Sequence, residues 1–261
     1  MLEIDVHPIA FSIGPISVAW YGIMIALAVL ALVLWTLWSV KKGAHLTYDT
    51  VLNAALVGIP SGIIFARVLH VVDRWDYYSQ NPAQIIGGEG LTIYGAVLGA
   101  ALGLWIYSRF SKVPFNYLAD VLAPGIILAQ AIGRVGCILN GCCYGVETTA
   151  FCAIIYSHPE SNGPIGIPVH PTQLYEIIYN LIAFGILYKL RGRLKPDGSL
   201  FLIYLSLYSI WRFGIGFIRE GEPFIFPVLH QAQVIGLVIL AIAIPILAMR
   251  TRWVKAGDTG D

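Results

Sequence analysis

The sequence predicts an all-α integral membrane protein of about seven transmembrane helices with an extracytoplasmic cap. Three observations carry that expectation. The chain is 57% hydrophobic and 12% charged, with a mean hydropathy of +0.75, which is too apolar for a soluble domain of 261 residues. It contains seven runs of about 20 apolar residues, the length a helix needs to cross roughly 30 Å of hydrocarbon. Its basic residues gather in alternate connections between those runs, as the positive-inside rule demands of cytoplasmic loops.

Taken in order, the runs are Ile16–Val40, Val51–Val72, Leu91–Arg109, Phe115–Cys137, Pro171–Leu190, Ser199–Ile218 and Ala232–Met249. Met1–Phe11 holds Glu3 and Asp5 but neither Lys nor Arg. It lacks the positive n-region of a cleaved signal peptide, so the first run reads as a retained span. Lys41, Lys42, Arg109, Lys112, the basic residues from Lys189 to Lys195 and those from Arg250 to Lys255 all fall on one side, against Arg74 and Arg219 on the other. The N-terminus is therefore expected outside and the C-terminus in the cytoplasm. The formal net charge is +1 with no basic block, so no nucleic-acid partner is expected. Residues 138–170 form the longest connection, rich in Gly and Pro and without Lys or Arg, and read as an ordered outer cap. Residues 1–261 are expected to form a single polytopic membrane domain, without a recognisable inverted repeat.

Arg67, Arg134 and Arg212 lie inside predicted spans that all run outward, and Arg219 lies just beyond the sixth. At 1.5 Å per residue they sit roughly 8, 5 and 9 Å below the outer ends of their helices, at a common level. A guanidinium in a span costs about 2.5–3.5 kcal/mol near the centre, so several together require anionic partners. Glu176 is the obvious protein candidate, and Asp120 lies near the other end of its span. One carboxylate cannot neutralise so many arginines. A phosphate, gripped by paired guanidinium hydrogen bonds, would supply the remaining charge. At this depth that phosphate belongs to a phospholipid headgroup. The competing reading of each arginine alone is that it snorkels to the interface.

The fourth run ends Gly133-Arg134-Val135-Gly136-Cys137-Ile138-Leu139-Asn140-Gly141-Cys142-Cys143-Tyr144-Gly145, with glycines that permit tight turns and close helix approach beside a charge. This stretch resembles the signature of the prolipoprotein diacylglyceryl transferase family. Similar stretches follow the family's order: Phe11–Pro15 with Trp20–Met24, Gly90–Ala96, His170–Glu176, the spacing of Tyr208, Arg212 and Arg219, and Gln233. Four positions depart from the family pattern. Tyr94 stands where many members carry histidine, Cys137 and Cys142 where they carry asparagine and glutamate, and Gly216 where an acid usually follows the arginine of the sixth span.

The resemblance implies transfer of the diacylglyceryl group of phosphatidylglycerol to the lipobox cysteine of a preprolipoprotein. Its partners would be that lipid, that segment and the surrounding membrane lipid, with the cytoplasmic (inner) membrane as its location. On this reading Arg134 and Arg212 hold the phosphate and stabilise its developing charge, with Arg67 and Arg219 supporting or gating. Tyr94 is read as a positioning or proton-relay group, because a phenol of pKa near 10 is a poor base at neutral pH. Tyr21 and Asn140 are candidates to hydrogen-bond the glycerol headgroup, Tyr21 reading equally as an interfacial belt aromatic. His170 reads as a site imidazole or as a plain helix entry before Pro171. Gln173, Glu176 and Tyr208 join the binding set through the motifs that contain them.

Gly95, Gly99 and Gly103 recur every four residues and read as a packing face. His70, one turn after Arg67, reads as an interface histidine. Cys137, Cys142, Cys143 and Cys152 fall at or beyond the outer surface, where disulfides are chemically allowed. Adjacent cysteines without a suitably close histidine do not match the spaced CxxC pairs of a zinc site, so neither metal nor cofactor is expected. The rival readings are an anion transporter or channel, a membrane thiol oxidoreductase and an inactive lipid-binding relative. A transport pathway should place ionisable residues at successive depths, whereas these arginines share one.

Overall fold

The computed structural model describes residues 1–14, 16–87, 90–221, 224–226 and 228–254. Pro15 of the N-terminal motif and Lys255 of the basic tail lie outside the described residues. A helix occupies most of each of the seven apolar runs: α1 (Trp20–Lys41), α2 (Tyr48–Asp73), α5 (Ile93–Phe110), α6 (Phe115–Asn140), α7 (Thr172–Leu190), α8 (Ser199–Ile215) and α9 (Gln231–Arg250), with short α3 (Trp75–Gln80) and α4 (Gln84–Gly87) between α2 and α5. By length and composition α1, α2, α5, α6 and α9 are able to cross a membrane, and α8 is a shorter apolar helix.

Helix ends differ from the sequence expectation for local reasons. Ile16–Ala19, read as the start of the first span, is strand β3. It pairs antiparallel with β2 (Ile9–Ile13), where β-branched residues suit a strand and Gly14 turns at φ +60. Helix α6 continues past Cys137 to Asn140 and stops where Gly141 adopts φ +68, a backbone that favours glycine. Arg134 is therefore about 9 Å from its helix end rather than 5. Helix α8 stops at Ile215 instead of Ile218, because the chain beyond it pairs with the signature turn around Gly145.

The connection between α6 and α7 carries two short strands. β4 (Ile154–Tyr156) lies between β1 (Leu2–Ile4), to which it is parallel, and β5 (Pro168–Val169), to which it is antiparallel. Ile154, Tyr156 and Val169 bury a small apolar cluster there with Ile4 and Tyr144. Further two-stranded pairs join β6 (Leu194–Lys195) to β9 (Arg252–Trp253) and β7 (Phe224–Phe226) to β8 (Leu229–His230).

The chain divides into two compact units, Thr36–Leu118 and the remainder. In the first, α2 starts at Thr47, whose hydroxyl accepts from the Thr50 amide at 3.1 Å and so caps the helix. Helix α5 lays Gly95, Gly99 and Gly103 against it. A Cβ on Gly95 would stand 2.8 Å from Ala66 Cα, and one on Gly103 2.5 Å from Ser61 Oγ. The four-residue glycine repeat thus lets the two backbones touch.

In the second unit α6, α7 and α8 share a core of Ala123, Ile127, Ala183, Leu187, Leu200 and Tyr204. The Asp120 carboxylate of α6 accepts from the amides of Gly198 and Phe201, each at 2.7 Å. It thereby satisfies unpaired N–H groups at the start of α8 and meets the positive end of that helix. Trp35 of α1 donates its indole N–H to the Val121 carbonyl at 3.0 Å, fixing α1 against α6.

Candidate active site

Helix α7 presents Thr172, Gln173, Glu176, Asn180, Ala183 and Leu187 inward, the three-and-four spacing of one helix face. Glu176 is 3% exposed, and its Oε1 pairs with Arg134 Nη2 at 2.9 Å. Its Oε2 stands 4.0 Å from Arg219 Nη1. One buried carboxylate therefore lies between guanidiniums from α6 and from the segment after α8. Arg212 is buried one turn beyond Tyr208 on α8, and the Tyr208 phenol lies within electrostatic reach of Arg212, Glu176, Arg134 and Arg219. Three arginines and one acid leave this centre with a net positive charge in a low-dielectric setting, which favours an anion.

Arg219 reaches the centre because the backbone is laced there. The Val146 amide donates to the Ile218 carbonyl at 2.8 Å and the Glu220 amide to the Tyr144 carbonyl at 3.1 Å, around a bridge between Gly145 and Arg219. A Cβ on Gly145 would stand 2.6 Å from the Ile218 carbonyl oxygen and 2.8 Å from His170 Cβ. Only glycine allows this approach.

The rest of the signature is pinned by the start of α7. Gln173 Nε2 donates to the Cys142 carbonyl at 2.7 Å and to the Tyr156 hydroxyl at 3.0 Å, and the Thr172 hydroxyl donates to the Cys143 carbonyl. Burial pushes the Tyr156 phenol above its ordinary pKa, against the hydrogen bond from Gln173. The Cys137, Cys142 and Cys143 sulfurs lie within 4.8 Å of one another, and all four cysteines are free thiols. Arg134 Nη1 stands 3.7 Å from Cys137 Sγ. Hydrogen bonds from Cys137 and Cys142, then the charges of Arg219 and Arg134, hold the Cys143 thiol below its ordinary pKa despite burial.

Other predicted residues take distinct places. Tyr21 opens α1 within reach of Arg134 and the three thiols. Asn140 accepts from Asn162 Nδ2 at its carbonyl, 3.0 Å, and at its side-chain oxygen, 3.3 Å, tying the end of α6 to the connection. His170 Nδ1 lies 3.2 Å from the Tyr175 hydroxyl, itself 3.2 Å from Cys152 Sγ. Arg67 and Tyr94 belong to the Thr36–Leu118 unit. Arg67 donates from Nε to the Ile85 carbonyl and from Nη1 to the Gly90 carbonyl, each at 2.9 Å, and from Nη2 to the Gln84 carbonyl, and its guanidinium lies 5.2 Å from the Tyr78 ring centroid. It clamps the segment leading into α5. Tyr94, in the first turn of that helix, is 40% exposed.

Sequence reading missed Thr172, Tyr156 and the His170–Tyr175–Cys152 chain. Thr172 sat inside a quoted motif without a chemistry of its own, and Tyr156 carried no local signal, because its partner lies 17 residues away. Gly216, where the family pattern has an acid, is explained by space: a Cβ there would meet the Gln233 side chain at 2.7 Å. Gln233 is wholly buried, donates to the Phe213 carbonyl at 3.0 Å and accepts from the His230 amide at 2.9 Å.

Several apolar helices of membrane-crossing length, with a buried arginine–carboxylate centre held by α6, α7 and the segment after α8, define a multi-pass membrane protein with a cationic internal site. Residues 8–249 match the family model described as prolipoprotein diacylglyceryl transferase, and the chain belongs to that family of transferases. It is 55% identical over 258 residues to the phosphatidylglycerol–prolipoprotein diacylglyceryl transferase of Dehalococcoides mccartyi, covering 99% of each chain. The protein of the same name from Clostridioides difficile is 38% identical over 234 residues, 88% of this chain and 90% of that one. The Listeria monocytogenes protein is 37% identical over 249 residues, 93% and 89% of the two chains.

Proposed function

We propose that this protein transfers the diacylglyceryl group of phosphatidylglycerol to the lipobox cysteine of preprolipoproteins, acting at the outer side of the cytoplasmic membrane with seven spans and its N-terminus outside. The observation that carries the reading is the buried Arg134–Glu176–Arg219 arrangement, with the Tyr208 phenol within electrostatic reach of these groups and of the buried Arg212, in a chain of this family. The acceptor thiol gives its proton to water, its sulfur bonds to the glyceryl carbon as the carbon–oxygen bond to phosphate breaks, and the electron pair leaves on glycerol phosphate. Arg134 and Arg212 grip the phosphate and stabilise the charge that grows on it, a role suited to fixed cations in a dry site. Arg219 supports them from the laced segment, and Glu176 keeps the guanidiniums oriented. Tyr21 and Asn140 face the glycerol headgroup. His170, Gln173 and Tyr208 shape the wall, Arg67 has a supporting or gating role, and Tyr94 serves substrate positioning or proton relay.

Purified protein mixed with phosphatidylglycerol and a lipobox peptide is expected to yield a diacylglyceryl thioether by mass spectrometry. Arg134→Ala and Arg212→Ala should each lower the yield at least about 100-fold, as loss of a transition-state charge partner does, while the protein still accumulates in membranes. Wild-type rates in either variant would end the assignment. Anion uptake into liposomes without consumption of lipid would instead support a transporter.

A further inference from the structure

The phosphate grip makes no use of Cys137, Cys142 and Cys143, yet the fold takes trouble to bring them together. Cys137 projects from the last turns of α6, and Cys142 and Cys143 return to it through Gly141 at φ +68 and Cys143 itself at φ +66. A side chain in that left-handed region is sterically disfavoured and persists where its surroundings hold it. Here the Cys142 amide donates to the Cys137 carbonyl at 3.1 Å, while Gln173 and Thr172 hold the next two carbonyls. The turn thereby does what CxxC spacing does elsewhere. A tetrahedral ion with metal–sulfur bonds of about 2.3 Å holds its sulfurs about 3.8 Å apart, so thiols within 4.8 Å need to close by about 1 Å or less. Among the described residues no histidine or carboxylate joins the three, and three protein ligands with one open position is the arrangement of reactive rather than structural zinc.

We propose that Cys137, Cys142 and Cys143 bind a thiophilic divalent ion of the zinc class whose fourth position takes the acceptor thiol of the polypeptide substrate. The inference rests on the transferase reading above. It supplies what that reading lacks, a way to ionise the nucleophile without a base of suitable pKa, because a thiol on such an ion is deprotonated outright. The acceptor thiol gives its proton to water on binding. Its sulfur then forms the bond to the glyceryl carbon as the carbon–oxygen bond breaks, glycerol phosphate carries off the electron pair, and the weakly donating thioether leaves the ion. Three thiolates and a divalent ion carry one net negative charge, matched by the net positive charge of Arg134, Arg219 and Glu176 together. Arg134 lies between the carboxylate and the thiol cluster, 2.9 Å from Glu176 and 3.7 Å from Cys137 Sγ, and so places the proposed ion beside the phosphate grip.

The test uses full-length protein in lipid nanodiscs, stripped with a chelator and reloaded with zinc or cobalt. About one ion per chain is expected, with thiolate-to-cobalt charge-transfer bands, and Cys152→Ser should retain both. Cys142→Ser should lose the bands. Cys143→Gly should lose them too, and since glycine suits φ +66, misfolding would not account for that loss. A lipobox peptide should shift the cobalt spectrum, whereas its cysteine-to-serine analogue should not. Cobalt bound without thiolate bands, a spectrum blind to the peptide thiol, or metal-free protein transferring lipid at the full rate would each overturn the ion while leaving the transferase intact. A cobalt spectrum that responds to the peptide thiol, with no thioether made by the zinc-loaded or the cobalt-loaded protein, would support the ion and overturn the transferase.

Discussion

At the scale of single residues, Glu176 is the centre of the site. Replacing it with glutamine keeps the shape and removes the charge between Arg134 and Arg219, leaving two guanidiniums facing each other with their counter-ion gone. Breaking a buried pair in this way costs roughly 3–5 kcal/mol, so Glu176→Gln should lower the melting temperature in detergent markedly. An unchanged melting temperature would mean that the carboxylate is not their counter-ion. The arginines and Glu176 were legible in the sequence because charge inside an apolar run is conspicuous and has to be matched. Arg67 was visible for the same reason, but its contacts with the Gln84, Ile85 and Gly90 carbonyls were not, since nothing in the chain marks those residues as its acceptors. The thiol cluster was hidden by the opposite circumstance. Adjacent cysteines look unsuited to one ion until Cys143 is seen in a left-handed backbone.

At the scale of elements, apolar runs and glycine repeats located the helices and the α2–α5 packing face, because span length and close approach are written locally. Ends were less legible. Ile16–Ala19 is apolar enough for a span and β-branched enough for a strand, and its pairing with Ile9–Ile13 decides the matter. The polar ties between helices were not legible either. Asp120 read as a stray acid near a span end, yet its two oxygens hold the amides that open α8. Asp120→Ala should destabilise the protein by at least about 1.5 kcal/mol, the lower bound for a hydrogen bond to a charged group, and Asp120→Asn by less. Hydrogen exchange localised to residues 198–202 would register the loss, and protection equal to wild type would refute the tie.

At the scale of the whole molecule, the apolar surface of α1, α2, α5, α6 and α9 suits a lipid solvent, and the asymmetry of basic residues sets the proposed orientation. A fluorescent reporter that folds only in the cytoplasm should therefore glow when fused after the last helix, and a reporter active only outside should stay silent there; the converse pattern would invert the site. The shared carboxylate has a consequence for turnover in such a setting. On the proposed function, Glu176, which already serves two cations, is a resident stand-in for the lipid phosphate, and a headgroup would arrive by exchange with it. Neither arrival nor departure strips a guanidinium bare in hydrocarbon. The same swap that admits the lipid readily also lets the spent glycerol phosphate go, so the pocket favours repeated use over tight capture.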